Sequence, residues 1–319
     1  MDCVSYSVEV PGSLMLLGEH AVLYKKQAIV VAINRYLKVN LIPRSDRNLF
    51  IVSQEFGNQL IVLDKFKIVK PYNYVLTVID QYLSKIKTGF TLKISSNFSH
   101  NLGFGSSAAV TVATLGVLYW FLYNKKMDLM KLYRKAVKVI RLVQGLGSGA
   151  DVAASVFGGV LSYQMQPPII KRLRDNLPIV AVYSGSKLTT SDVITRIEPQ
   201  IKQLPNIFAK LYDVMGECTK SGVAAIKSNQ WFKLGKLMNI YQGLQESLGV
   251  NNAILAELVF SLRKSKNIYG AKISGSGLGD SVIGLGQIKR KYFPINIIQR
   301  QIGVRQIDIK VSSKGLVYF

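Results

Sequence analysis

Three short glycine-rich turns constrain this chain more than any other feature: GFGSSA at 103–108, GLGSGAD at 145–151 and GSGLGDS at 275–281. Glycine lets the backbone take positive φ and come close to a ligand, and successive N–H groups at a helix start form a seat for phosphate oxygens. Two of the turns run directly into apolar stretches that read as buried helices. One such turn is weak evidence. Three in one chain, with serine and aspartate beside them, point to a nucleotide-phosphate site.

The form of the turns excludes the commonest nucleotide folds. None is followed by GK[ST] at Walker A spacing. Gly103, Gly105 and Ala108 satisfy G-x-G-x-x-A, but a dinucleotide fold wants that pattern after its first strand, with an acidic residue about 20 positions on at a strand end. Here it lies some hundred residues into the chain, and Asp128 sits in a helical pattern.

The run behind the first turn, Ala108 to Tyr123, falls short of the roughly 20 apolar residues a membrane span needs, and Thr111 and Thr114 interrupt it. It reads as a core helix, with no membrane partner. The N-terminus MDCVSYSVEV carries Asp2 and Glu9 and does not resemble a signal peptide. Two cysteines, Cys3 and Cys218, are too few for a disulfide framework and too far apart for metal-ligand spacing, so a reducing, cytoplasmic setting is expected.

With 319 residues, 49% of them hydrophobic and 18% charged, the chain has material for two globular lobes. Its 41 Lys and Arg against 18 Asp and Glu give a net charge of +23, which favours anionic partners. The basic residues are scattered and carry no recognition-helix or RNP signature, which argues against nucleic acid.

Val- and Ile-rich alternation predicts strands at 5–10 and 28–42, a hairpin at 47–53 and 59–63, and a strand at 90–95. Apolar residues at three-and-four spacing predict helices at 73–86 and 127–143. Consecutive prolines in MQPPIIKR (165–172) suggest a lobe boundary, giving lobes of 1–166 and 167–319. The second lobe is expected to hold a strand at 177–185, helices near 191–227, 229–247 and 251–265, and strands near 271–274, 282–286 and 304–318.

PGSLMLLGEHAVLYKKQAIVVAI (11–33), GFGSSAAV (103–110) and KISGSGLGDS (272–281) together resemble, in order and spacing, the three motifs of the GHMP kinase superfamily. The resemblance covers nearly the whole chain. It implies an α+β, two-lobe fold: an N-terminal ATP-binding lobe like domain 2 of ribosomal protein S5 and a ferredoxin-like C-terminal lobe. It also implies ATP and Mg2+ as cofactors. A degenerate, nucleic-acid-binding member is the non-enzyme alternative, and a homodimer is left open.

Within the superfamily GEHAVLY (18–24) is most similar to mevalonate kinases, which implies phosphorylation of the hydroxyl of a small acid in isoprenoid precursor synthesis, mevalonate to 5-phosphomevalonate. By that resemblance Glu19 and His20 line the acceptor site, with His20 donating a hydrogen bond to a carboxylate. Asp151 in GSGADVAASVFGG resembles the family's catalytic base, and capping its own helix is the alternative. Gly103, Phe104, Gly105, Ser106 and Ser107 would hold the ATP phosphates, with the Ser107 hydroxyl on Mg2+. Gly275, Ser276 and Gly277 would close over them, and Thr189 and Thr190 would lie near the acceptor.

Three departures keep the acceptor open. Mevalonate kinases carry a lysine where this chain has Ser13, so either another cation, such as Lys25, Lys26 or Lys187, replaces it or the chemistry is slower or different. They also carry a Mg-binding glutamate where this chain has Ile140. The context of Asp151 and the presence of Asp280 look closer to phosphomevalonate kinases, whereas His20 and the short chain favour mevalonate. Another small alcohol, including a sugar, remains an alternative.

Overall fold

The computed structural model describes residues 5–319, so Cys3 lies outside it. The chain opens with β1 (Tyr6–Leu17) and β2 (Ala28–Pro43), whose Val, Ile and Leu side chains are largely buried. The hairpin β3 (Asn48–Ser53) and β4 (Gly57–Val62), helix α1 (Asn73–Asp80) and β5 (Phe90–Ser96) follow. Helices α2 (Ser106–Tyr123), α3 (Leu129–Gln144) and α4 (Ala150–Phe157) come next, then the hairpin β6 (Val160–Gln164) and β7 (Ile169–Arg174).

The remaining elements are β8 (Ile179–Tyr183), α5 (Thr190–Gln203), α6 (Pro205–Lys227), α7 (Trp231–Ser247), α8 (Ala253–Arg263), β9 (Ile268–Ser274), β10 (Ser281–Gly286), α9 (Ile297–Gln301), β11 (Arg305–Ile307) and β12 (Val317–Tyr318). They build a second, four-stranded antiparallel sheet in the order β11-β8-β10-β9. Strand, helices, strand, strand, helix, strand is the split βαβ plan, so the ferredoxin-like expectation holds. The first sheet has eight strands, six of them in the order β12-β1-β2-β5-β3-β4, with β6 on β2 and β7 on β6.

Helix α2 packs on β1 and β2 and touches α1, α3 and α4. By length and composition it is apolar enough to cross a membrane, but 56% of it is buried inside the protein. Its apolar residues hold its position in the core, each buried aliphatic side chain contributing about 1.5–3 kcal/mol. Helix α3 buries Leu132, Tyr133, Ala136, Val137, Val139 and Ile140 on one face and is started by Asp128, whose side chain accepts from the Lys131 N–H at 2.8 Å.

Several boundaries differ from expectation. β1 continues past residue 10 through the first motif to Leu17, with a register shift between Pro11 and Gly12. The helix expected over 73–86 stops at Asp80, and the stretch 191–227 is two helices separated at Leu204, with Pro205 in the first turn of α6. The division expected at 166/167 cuts the β6–β7 hairpin. Since β7 pairs with β6 in the first sheet, strand pairing puts the division between residues 174 and 179. The strand expected at 304–318 is likewise split. β11 joins the second sheet, then the chain crosses back, bridging Ile33 to Val311 and pairing β12 with β1.

Candidate active site

The turn that opens α2 is fastened from behind. Gly103 and Gly105 take φ of 71° and 67°, which a side chain resists, and Gly105 is the residue that starts the helix. The Ser13 N–H on β1 donates to the Phe104 carbonyl at 3.0 Å, and the Phe104 ring is buried beside Phe98. The N–H groups of the first turn of α2 therefore stay without intrahelical partners, facing outward from a fixed base. Thr111 Oγ1 holds the Ser107 carbonyl at 2.7 Å, and the Ser107 hydroxyl has no hydrogen bond among the described residues.

Two cavities meet at this turn. The larger, about 700 Å³, is bounded by Phe56, Tyr72, Phe98, His100 and Val110 among others. The smaller, about 210 Å³, is bounded by Glu19, His20, Asp151, Gly275 and Asp280 among others. Ser106, Ser107 and Lys187 border both.

Asp151 stands in the first turn of α4 but does not cap it. Its Oδ1 accepts a 2.8 Å hydrogen bond from Ser13 Oγ. Burial pushes its carboxyl above the ordinary range, while the Ser13 bond and the charge of Lys187 draw it back. Lys187 is the one of the three candidate cations that borders the site. Lys26 pairs with Asp213 on α6, and Lys25 is exposed at the end of the short 3₁₀ turn after His20.

Glu19 is buried and paired with Lys272 of β9, Nζ to Oε1 at 2.5 Å, both side chains essentially inaccessible. Burial works against both charges, raising the carboxyl and lowering the ammonium. Tyr241 on α7 holds the same turn: its hydroxyl donates to the Glu19 carbonyl at 2.9 Å and accepts from the Gly18 N–H at 3.0 Å. His20, at φ 59°, places Nε2 2.8 Å from the Ser276 carbonyl. A carbonyl can only accept, so Nε2 carries a proton, and burial lowers the ring's pKa, which favours the neutral form. That overturns the expected donation to a carboxylate, because Nδ1 is then an acceptor.

Asp280 lies in the gap between two glycine turns. A Cβ built on Gly103 would sit 2.8 Å from its Cγ, and one on Gly275 would sit 3.1 Å from its Oδ2. Its Oδ1 is buried with no partner, and burial pushes the carboxyl up to about 7. Ile140 borders the small cavity and supplies no oxygen.

Three expected site residues are turned elsewhere. Phe104 offers its ring to the core and its carbonyl to Ser13. Gly277 faces Val250, whose carbonyl would lie 2.4 Å from an added Cβ. Thr189 starts α5, its hydroxyl donating to Asp192 Oδ2 at 2.7 Å, while Thr190 does border the cavity. Gly103, Gly105, Ser106, Ser107, Gly275 and Ser276 all border it as well.

No group of three His, Cys, Asp or Glu side chains gathers as a metal cage among the described residues. Magnesium instead commonly takes one or two protein oxygens together with substrate phosphates. The unengaged Ser107 hydroxyl and the unpartnered Asp280 carboxylate, both on the small cavity, fit such an ion.

Lys272 is a site residue that the glycine and serine patterns do not reveal. Its signal is a lone charge inside an otherwise apolar strand, IYGAKIS, where burial demands a counter-ion.

The sequence profile described as GHMP kinases N terminal domain matches residues 73–159, and that described as GHMP kinases C terminal matches 223–291. The mevalonate kinase of Pyrococcus abyssi is 30% identical over 328 aligned residues, covering 96% of this chain and 95% of that protein. The mevalonate kinase structure of Methanococcus jannaschii superposes with a TM-score of 0.80 at 22% identity, covering 98% and 99% of the two chains. Streptococcus pneumoniae phosphomevalonate kinase, solved with phosphomevalonate and AMPPNP, gives 0.78 at 19% identity over 96% and 99% of the two chains. At such identities the superpositions speak for the fold and do not choose between acceptors.

Proposed function

Because this chain belongs to the GHMP kinase superfamily and is a small-molecule kinase, we propose that it transfers the γ-phosphoryl group of ATP to a hydroxyl of mevalonate, giving 5-phosphomevalonate. The observation that carries this reading is the meeting of two cavities at Ser106, Ser107 and Lys187, with Asp151 on the smaller one. ATP fills the larger cavity with its phosphates over the first turn of α2, where free N–H groups and the positive helix end favour anions. The acceptor fills the smaller.

Asp151 accepts the proton of the attacking hydroxyl as its oxygen bonds to the γ-phosphorus and the β–γ bridging bond breaks, releasing ADP. Ser13 fixes the carboxylate that does this. Lys187 neutralises charge on the transferring group. His20 Nδ1 accepts from an acceptor hydroxyl, and Thr190 borders the same space. The Ser107 hydroxyl would help hold Mg2+, which would supply positive charge to offset that of the phosphates.

The choice of mevalonate over phosphomevalonate rests on charge. Lys187 is the only Lys or Arg bordering the small cavity among the described residues, Lys272 being consumed by Glu19. A second phosphate there would lack a cation of its own. Full-length similarity to mevalonate kinases supports the same acceptor.

The test offers purified protein and Mg·ATP a panel of mevalonate, phosphomevalonate and galactose, following ADP release. Turnover with mevalonate is expected. Turnover only with phosphomevalonate or galactose would move the acceptor, and none with any of the three would remove the reading.

A further inference from the structure

Three carboxylates border the small cavity, and two are accounted for. Glu19 is ion-paired with Lys272 through Oε1 at 2.5 Å although its Oε2 has no hydrogen bond, and Asp151 accepts from Ser13 at 2.8 Å. Asp280 is different. It is 6% exposed, its Oδ1 is buried without a partner, and Gly103 and Gly275 both lack a side chain where it packs. Its backbone is held on both sides, the N–H donating to the Ser186 carbonyl at 2.8 Å and the carbonyl accepting from the Ser184 N–H at 2.9 Å. The carboxylate is thus fixed beside the phosphate-binding turn with no donor supplied for it.

A buried carboxylate without a partner costs several kcal/mol. Set beside a polyphosphate, it also repels the ligand the turn is built to bind. Lys187 contributes one positive charge, shared between Asp151, Asp280 and the phosphates. A hard divalent cation resolves the conflict, since it takes carboxylate, hydroxyl and phosphate oxygens together.

Resting on the kinase reading, we propose that Asp280 is a ligand of the divalent cation that accompanies the nucleotide, supplying a carboxylate oxygen in addition to the Ser107 hydroxyl on the same cavity. In the absence of the cation it is a liability for the fold; in its presence it anchors the metal–nucleotide complex between the two glycine turns.

The test compares wild type with Asp280→Asn, measuring affinity for a non-hydrolysable imido analogue of ATP with and without Mn2+, together with thermal melting of the metal-free proteins. In wild type Mn2+ is expected to strengthen analogue binding. In Asp280→Asn that gain is expected to shrink at least about tenfold, with metal-free binding equal or tighter and a melting temperature equal or higher. An unchanged gain from Mn2+, or a variant that melts lower or fails to fold, would overturn the assignment and mark Asp280 as structural. Wild type that binds no analogue at all would bring down the kinase reading itself, and this inference with it.

Discussion

Ser13 Oγ and Asp151 Oδ1, 138 residues apart, lie 2.8 Å from each other and tie the first strand to the first turn of α4. Ser13 also holds the phosphate turn through its N–H to Phe104. One small residue therefore fixes the spacing between the phosphate seat and the carboxylate. A lysine there could not make the same short hydroxyl bond.

Asp151→Asn keeps the shape and removes the base. The turnover number is expected to fall by about 10²–10⁴, with ATP-analogue binding retained. Steady-state kinetics beside a binding titration checks both halves.

The acid side of the pH–rate profile should report Asp151. Its carboxyl is raised by burial, and only the ionised form accepts a proton, so kcat/KM is lost as pH falls through a value above the ordinary carboxylate range. Ser13→Ala removes a bond that favours the ionised form. The acid limb is therefore expected to move to higher pH; movement to lower pH would contradict the assignment.

Lys187 borders both cavities, and its charge draws the raised carboxyls of Asp151 and Asp280 back down. Lys187→Ala is expected to reduce kcat by about 10²–10³, the cost of removing one charge-stabilising donor. Its acid limb should also shift upward, which separates it from a surface lysine.

Lys272→Met leaves the Glu19 carboxylate buried and alone. Urea unfolding is expected to show a loss of about 3–5 kcal/mol near neutral pH. The lone carboxyl has a folded-state pKa above its unfolded value, so the folded state binds the extra proton and the deficit shrinks as pH falls. Lys272→Met with Glu19→Gln should cost less than the single change, because no unpaired charge remains.

Gly105→Ala tests the turn. The residue takes φ 67°, and an added Cβ would sit 2.2 Å from Ser13 Oγ. Left-handed backbone alone costs about 1–2 kcal/mol in a residue with a side chain. The variant is expected to melt lower and to show the upward acid-limb shift of Ser13→Ala, since the same hydroxyl is displaced.

Much of the site was legible as local pattern. Gly103 to Ser107 read as a phosphate turn because glycine at positive φ and a following apolar helix leave their mark in a few consecutive residues. Thr189 and Gly277 were misplaced because each has a second local use, starting a helix and passing close to Val250, that resembles a site residue in sequence. The donor role expected of His20 failed for another reason. Which of its nitrogens carries the proton depends on the Ser276 carbonyl, 256 positions away.

What the sequence determines by itself is periodic and local: most strands of both sheets, though not the β6–β7 hairpin, the buried character of α2, the three glycine turns and their order. What only the tertiary structure decided is pairwise and distant. Ser13 meets Asp151, Glu19 meets Lys272, Asp280 is left without a partner, and the tail from Val311 returns to the first sheet. The physical reason is that backbone conformation depends on near neighbours, whereas the cost of a buried charge depends on what the rest of the fold brings within hydrogen-bond reach.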